Sequence, residues 1–331
     1  MKVKSEVTIL IPTLNRHANL VRYLPYLATM GMDIVVADGS YKPFYCTDEN
    51  ILYLHLPNAS FKNRLYALYS AAKTKYVVVA ADDDLIGWNG LNKCIQFLID
   101  NEDHSACQGY FTEYQYKKIL GSNILINNSH SYGYSHDYTF NAENAVERLN
   151  SMTTNRIMHY CYAVVQKDVL SVMYDLWRDV ESKDGDTILF EPLMMFAIGI
   201  VGKFKTLDTF YIARDISHGG NFSSFEYILS EGSNEECLSK NFTQSIIKYK
   251  GSRADVERII KNYSFQLSYQ VSARTNVLSN LIVLIKTAIK DCFIFLNIIQ
   301  SNGIKKDYFK NELIYKDYLN DWDRVKGFFK A

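Results

Sequence analysis

The sequence predicts an α/β fold, a largely parallel sheet covered by helices, followed by a helical C-terminal extension. Three observations lead there. Short, continuous apolar runs alternate with segments of helical spacing over the first hundred residues. Each of three apolar runs ends in polar or acidic residues. Beyond about residue 225 the strand-like runs give way to long helical patterns. Strand, helix, strand, helix, strand is the order that a parallel sheet needs, because each crossover must return the chain to the same sheet edge.

In chain order, VTILI (7–11) is apolar throughout and stops at Pro12, as expected of a strand buried on both faces. Residues 19–30 place Leu20, Tyr23, Leu24 and Leu27 on one helical face. DIVVA (33–37) reads as a second strand, halted by the turn Asp38-Gly39-Ser40, and 51–56 as a short third one. A helix is expected over 61–72, a buried strand over 76–81 (YVVVAA) and a helix over 89–100. From 107 to 138 the Tyr-, Asn- and Ser-rich pattern suggests antiparallel strands and loops. Beyond it come a helix (141–152), a strand (157–165), a helix (187–199) and a strand (204–214). The longest helical stretches follow at 253–271 and 275–300. The expected organisation is one domain over 1–224, with halves 1–105 and 106–224, and the helical extension over 225–331.

Composition narrows the function classes. Thirty-six basic residues balance thirty-six acidic ones, which argues against a surface built to grip nucleic acid. Six cysteines, at 46, 94, 107, 161, 237 and 292, show no C-x-x-C pair, the usage of a reduced, cytoplasmic protein. The N-terminal apolar stretch is shorter than a secretory h-region, and no run of about 18 apolar residues is present. Residues 278–299 come nearest, interrupted by Lys286, Lys290 and Asp291. That helix is expected to be buried or to join two copies of the chain, the alternative being contact with the inner face of a membrane.

The residues that carry chemistry sit at strand ends, where ligands of open α/β sheets bind. Asp82-Asp83-Asp84 follows the 76–81 strand directly. Three adjacent carboxylates repel, and Mg²⁺ or Mn²⁺ shared with substrate phosphates would neutralise them. Asp84 alone would suit a helix cap, but capping does not require three. Pro12-Thr13-Leu14-Asn15-Arg16 ends the first strand with small hydrogen-bonding groups and a guanidinium suited to phosphate. Asp38 ends the second strand with a carboxylate able to accept from a base or a ribose hydroxyl.

The ordered set VTILIPTLNR, DIVVADGS and KTKYVVVAADDDLI resembles the nucleotide-sugar half of the family 2 glycosyltransferases, which have the GT-A fold, a Rossmann-like sheet flanked by helices. The likeness covers about the first hundred residues. It implies that Pro12, Thr13, Asn15, Arg16, Asp38 and Asp82 contact a nucleoside-diphosphate sugar, with Lys62 and Arg64 as further donor contacts. It also implies that the acidic triplet holds the metal. The family pattern Asp-x-Asp-Asp would start at Ala81, so either Asp83 and Asp84 or Asp82 and Asp84 are the ligands; the former pair is favoured.

The second half resembles the family in FEPLM (190–194) and YIARDISH (211–218). By that resemblance Glu191 is the general base, with Asp184 and Asp186 as competitors. Arg214 touches the donor, and His218 either completes the metal shell or touches the diphosphate. The implied reaction is inverting transfer of a sugar to a hydroxyl of a glycan or lipid-linked glycan in surface-polysaccharide synthesis. Two alternatives stand beside it: a non-catalytic nucleotide-sugar-binding protein on the same fold, and a sugar nucleotidyltransferase. The latter normally has a glycine-rich loop after the first strand, and PTLNR has no glycine.

Overall fold

The structure, a computed structural model, describes residues 6–46, 48–119, 122–128, 139–154, 160–180, 186–215, 234–247 and 252–262, with 316, 319–321, 323 and 324 near the C terminus. Its elements are β1 (Val7–Thr13), α1 (His17–Ala28), β2 (Asp33–Asp38), β3 (Ile51–His55), α2 (Phe61–Ala71), β4 (Tyr76–Val79), β5 (Leu85–Ile86) and α3 (Trp88–Asp100). These are followed by β6 (His104–Ile119), β7 (Ser122–Asn128), α4 (Ala145–Thr154), β8 (Val164–Gln166), α5 (Lys167–Trp177), α6 (Asp186–Val201), β9 (Lys203–Asp215) and α7 (Asn234–Ile247). Residues 253–262 are also helical. The result is an α/β fold, one mixed sheet flanked by helices.

The nine-stranded sheet has the order β3-β2-β1-β4-β8-β6-β9-β5, with β7 paired to β6. β1 runs parallel to both β2 and β4, and β2 parallel to β3. The chain therefore builds outward from β1 on one side and returns to β4 on the other. That makes the β1–β4 junction a topological switch point, where the crossovers leave in opposite directions and open a crevice. β4 pairs antiparallel with β8, and β6 lies antiparallel to β8 but parallel to β9.

Burial explains the element choices. Every residue of β4 is buried, and in β1 only Pro12 is partly exposed. Pro12 is tolerated because β1 pairs with β4 only through Leu10, so its missing N–H faces no partner on that side. α3 buries Leu91, Cys94, Ile95 and Leu98, an i, i+3, i+4, i+7 stripe. It lies so close to β9 that a Cβ at Gly90 would fall 1.9 Å from the Phe210 carbonyl oxygen; only glycine fits there. α2 starts at Ser60, whose hydroxyl accepts from the Asn63 N–H.

The chain departs from expectation around β8. Within the strand expected over 157–165, residues 160–162 form a 3-10 turn instead, closed by Ala163 N–H to Tyr160 O, and β8 begins at Val164. Tyr160 packs edge-on against Phe140 and Phe204. α5 is an additional helix, burying Val169, Leu170, Met173, Leu176 and Trp177. α6 matches the helix expected over 187–199: it starts at Asp186 and runs through Pro192, with Glu191 inside it. Leu193, Met194, Phe196, Ala197 and Ile198 are all buried, and packing on that scale outweighs the backbone hydrogen bond lost at proline. Of the expected C-terminal helices, 275–300 lies outside the described residues. No helix among the described residues is long and apolar enough to cross a membrane.

Candidate functional site

The site forms at the β1–β4 switch point. Thr13, the last residue of β1, is buried, and its hydroxyl donates to Asp82 Oδ2 at 2.6 Å. The chain then reverses at Asn15, which takes a left-handed conformation (φ 56°) that asparagine tolerates better than most residues. The Asn15 N–H is satisfied by the Ser40 hydroxyl at 2.7 Å. The reversal brings Arg16 over the acidic turn, where Nη1 donates to Asp82 Oδ1 at 2.7 Å and to Asp83 Oδ2 at 2.8 Å. Asn19 adds a longer contact to Asp82 Oδ1.

The three aspartates fan apart. Asp82 turns toward the β1 loop and is buried there by Thr13, Arg16 and Asn19. Asp84 turns the opposite way, toward the end of β9. It accepts from the Asp215 N–H at 2.9 Å, hydrogen-bonds Tyr162, and lies 3.9 Å from Arg214 Nε. Arg22 in turn approaches Asp215 at 3.7 Å. Asp83 sits between them, its backbone carbonyl accepting from the Tyr114 hydroxyl. Lost solvation, followed by the charges of Asp84, Asp82 and Asp215, pushes its carboxyl up to about 7 against the opposing pull of Arg16. Four carboxylates and three guanidinium groups thus share one crevice.

Metal binding was expected of Asp83, Asp84 and His218. Among the described residues no group of three or more His, Cys, Asp or Glu side chains is arranged to hold a metal ion, and His218 lies outside the described residues. The donor set suits a hard cation that takes one or two protein carboxylates and completes its shell with phosphate oxygens and water. Of the three, Asp83 has the fewest protein partners among the described residues, with Arg16 on its carboxylate.

Arg214 links this end of the site to Glu191. Burial works against its charge, but Tyr162, Asp84 and Glu191 outweigh burial and hold its pKa above the usual arginine value. Its guanidinium lies 5.5 Å from the Tyr162 ring centre. Glu191 is half-buried on α6 and acts electrostatically on both Arg214 and Cys161. Of its two competitors, Asp184 is outside the described residues, as is the side chain of Asp186.

The remaining expected contacts divide. Arg64 is buried and hydrogen-bonds the Thr13 carbonyl, so it fixes the end of β1 from beneath. Lys62 donates to the carbonyls of Trp177 (2.9 Å) and Val180 (3.4 Å), the open end of α5, and points its charge there rather than into the acidic turn. Pro12 shapes β1 without offering a donor.

Asp38 is wholly buried and closes a second cluster, at the ends of β2 and β3. Its Oδ1 accepts from the Ser40 N–H at 2.8 Å; its Oδ2 accepts from the Tyr53 hydroxyl at 2.6 Å and pairs with His17 Nε2 at 2.8 Å. Phe44 packs on both rings, at 5.7 Å from His17 and 6.3 Å from Tyr53, and His55 stacks near Tyr53 at 6.5 Å. His17, Tyr53, Asn19, Arg22, Tyr162 and Asp215 were not among the expected site residues. The first is legible, since it directly follows Arg16; the others depend on strand register and helix placement.

No family model and no curated protein matches the chain. Solved structures do show a likeness in chain course. The S. aureus TarS 1–349 structure is 13% identical, with a TM-score of 0.49, covering 83% of this chain and 77% of that one. The same TarS segment in complex with UDP gives 13% identity and a TM-score of 0.49, covering 98% and 90%. Its complex with UDP-GlcNAc gives 13% and 0.47 over the same shares.

Proposed function

We propose that the chain is a glycosyltransferase that moves a sugar from a nucleoside-diphosphate donor to an acceptor hydroxyl with inversion at the anomeric carbon. The observation that carries this reading is the convergence of Thr13, Arg16, Asp82 and Asp83 at the β1–β4 switch point. A polar, charge-dense crevice at that point of an open sheet suits a pyrophosphate, and the resemblance of VTILIPTLNR, DIVVADGS and VVVAADDD to family 2 supports the same choice.

In this reading the nucleoside lies toward the ends of β2 and β3 and the diphosphate lies over the acidic turn. A divalent cation bound with Asp83 and Asp84 would neutralise charge on the departing diphosphate. The chain's own groups then do the rest. Arg16 stands close enough to exchange a carboxylate partner for a phosphate oxygen, as a guanidinium does readily. Glu191 takes the proton from the attacking hydroxyl. Arg214 sets a positive charge near Glu191. The acceptor we propose is a hydroxyl of a growing surface glycan, free or lipid-linked.

The test is release of nucleoside diphosphate from a panel of nucleotide sugars by the full chain. Base assistance is typically worth about 10²- to 10⁴-fold, so Glu191→Gln should lose turnover on that scale while still binding donor. Near-normal turnover in Glu191→Gln would remove Glu191 as the base. Donor binding with no turnover in the wild type would favour the non-catalytic reading. That reading has one observation of its own: Arg16 already pairs with Asp82 and Asp83.

A further inference from the structure

The carboxylate at the end of β2 has no lone pair turned to solvent. Asp38 is 0% exposed, and its two oxygens together accept from a backbone N–H and a phenol and pair with an imidazole. Its usefulness to a ligand must therefore pass through one of these neighbours. Ser40 is itself buried. Tyr53 spends its proton on Asp38, and its oxygen accepts from the Phe44 N–H at 2.8 Å. His17 remains. Its side chain is 32% exposed, and among the described residues Nδ1 makes no hydrogen bond.

The tautomer of His17 follows from its partner. An ionised carboxylate accepts hydrogen bonds and cannot donate them. Nε2 must therefore carry the proton, which leaves a bare lone pair on Nδ1 in the neutral ring. Burial disfavours the Asp38 charge, but the bonds from Ser40, Tyr53 and His17 more than offset it and hold the carboxyl below its usual value. The ring's surroundings are flat and aromatic, with Phe44 tilted against His17 and Tyr53 and His55 beyond it. Arg16, the preceding residue, faces the opposite way, toward the acidic turn. Two adjacent residues thus face two chemistries, phosphate on one side and a planar ring on the other.

We infer that His17, held in one tautomer by Asp38, reads the nucleobase of the donor and selects a ring that presents an N–H donor to Nδ1. The imide N–H of a uracil-type base meets that requirement. At that ring position cytosine carries a lone pair on N3, which would face another lone pair, and its N–H donors lie only on the exocyclic amine. His17 is the specificity-determining contact and Asp38 a positioning residue that acts through it. The inference rests on the nucleotide-sugar reading given above.

UDP and CDP share ribose and phosphates, so their difference isolates the base. Titration calorimetry of the full chain with each, in the presence of Mn²⁺, should show UDP binding about tenfold more tightly, the scale of one well-placed hydrogen bond against a mismatch. His17→Phe keeps a planar ring but removes Nδ1, and should bring the two affinities together. Asp38→Asn should go further. An amide can donate to Nε2, which moves the ring proton to Nδ1 and turns the preference toward CDP.

Equal affinities in the wild type, or a UDP preference that survives His17→Phe, would overturn the inference while leaving the glycosyltransferase reading standing. Failure of UDP, CDP, GDP and ADP all to bind would instead remove the reading on which it rests. Thermal midpoints of each variant separate lost selectivity from lost folding. If Asp38→Asn does not fold, the His17→Phe comparison decides alone.

Discussion

Asp38 also has a stability role that can be measured without any ligand. Its folded-state carboxyl sits below the usual value of 3.8, because the bonds from Ser40, Tyr53 and His17 outweigh its burial. A carboxyl depressed on folding contributes stability that is fully present above its unfolded value and is lost as pH falls through the lower folded value. Urea midpoints of the wild type should therefore decline as pH drops below about 4. Asp38→Asn, which cannot titrate, should start from a lower midpoint at neutral pH and show a shallower decline over that window. Parallel curves for the two proteins would mean that other carboxylates govern the acid limb. The pattern DIVVADGS placed Asp38 at a strand end, and the structure agrees. That this carboxylate would be fully enclosed was not legible. Its enclosure comes from the parallel register that sets Val36 beside Tyr53 and Asp38 beside His55, and register between strands separated by a crossover is not written in either strand alone.

Among the elements, α3 shows how a distant segment can finish a local structure. Its N-cap is Gly87, which has no side chain to satisfy the first N–H groups of the helix. Asp321 supplies the missing acceptor: Oδ2 accepts from the Asn89 N–H at 3.2 Å and Oδ1 from the Asn89 side-chain amide at 3.0 Å. Arg324 covers the Trp88 ring, and Leu319 packs on the core. This contact pins the helix that follows β5 and, through β5, the turn carrying Asp84. Loss of a capping acceptor typically costs about 0.5–2 kcal/mol, so Asp321→Ala should lower the thermal midpoint measurably. Equal midpoints for Asp321→Ala and wild type would show the contact to be dispensable. Periodicity revealed α1, α2 and α3 because each carries an uninterrupted apolar stripe. It placed the start of α6 within one residue, at 187 against Asp186, and buried neighbours carry that helix through Pro192. It could not reveal Asp321 as a cap, since the acceptor lies 232 residues from the helix it completes.

At the scale of the whole molecule the charges cancel, with 36 basic and 36 acidic residues, yet they are distributed unevenly. The crevice gathers Asp82, Asp83, Asp84 and Asp215 against Arg16, Arg22 and Arg214. Arg16 therefore competes with any divalent cation for the same carboxylates. In the nucleotide-sugar reading, a diphosphate resolves that competition: it draws Arg16 onto its own oxygens and frees Asp83 for the metal while offering ligands of its own. Metal and nucleotide should then bind with positive coupling, each raising the affinity for the other by the same factor. A ligand at a hundred times its Kd stabilises the fold by about 2.7 kcal/mol, a rise of several degrees in Tm for a protein of this size. Mn²⁺ alone should shift Tm little and UDP alone modestly, and the two together should exceed the sum of the separate shifts. Arg16→Gln removes the competitor, so Mn²⁺ alone should stabilise this variant more than it does the wild type. A full shift from Mn²⁺ without nucleotide in the wild type would place a preformed metal site in the protein itself. Additive shifts, unchanged by Arg16→Gln, would mean that the acidic turn serves the fold and not a cation.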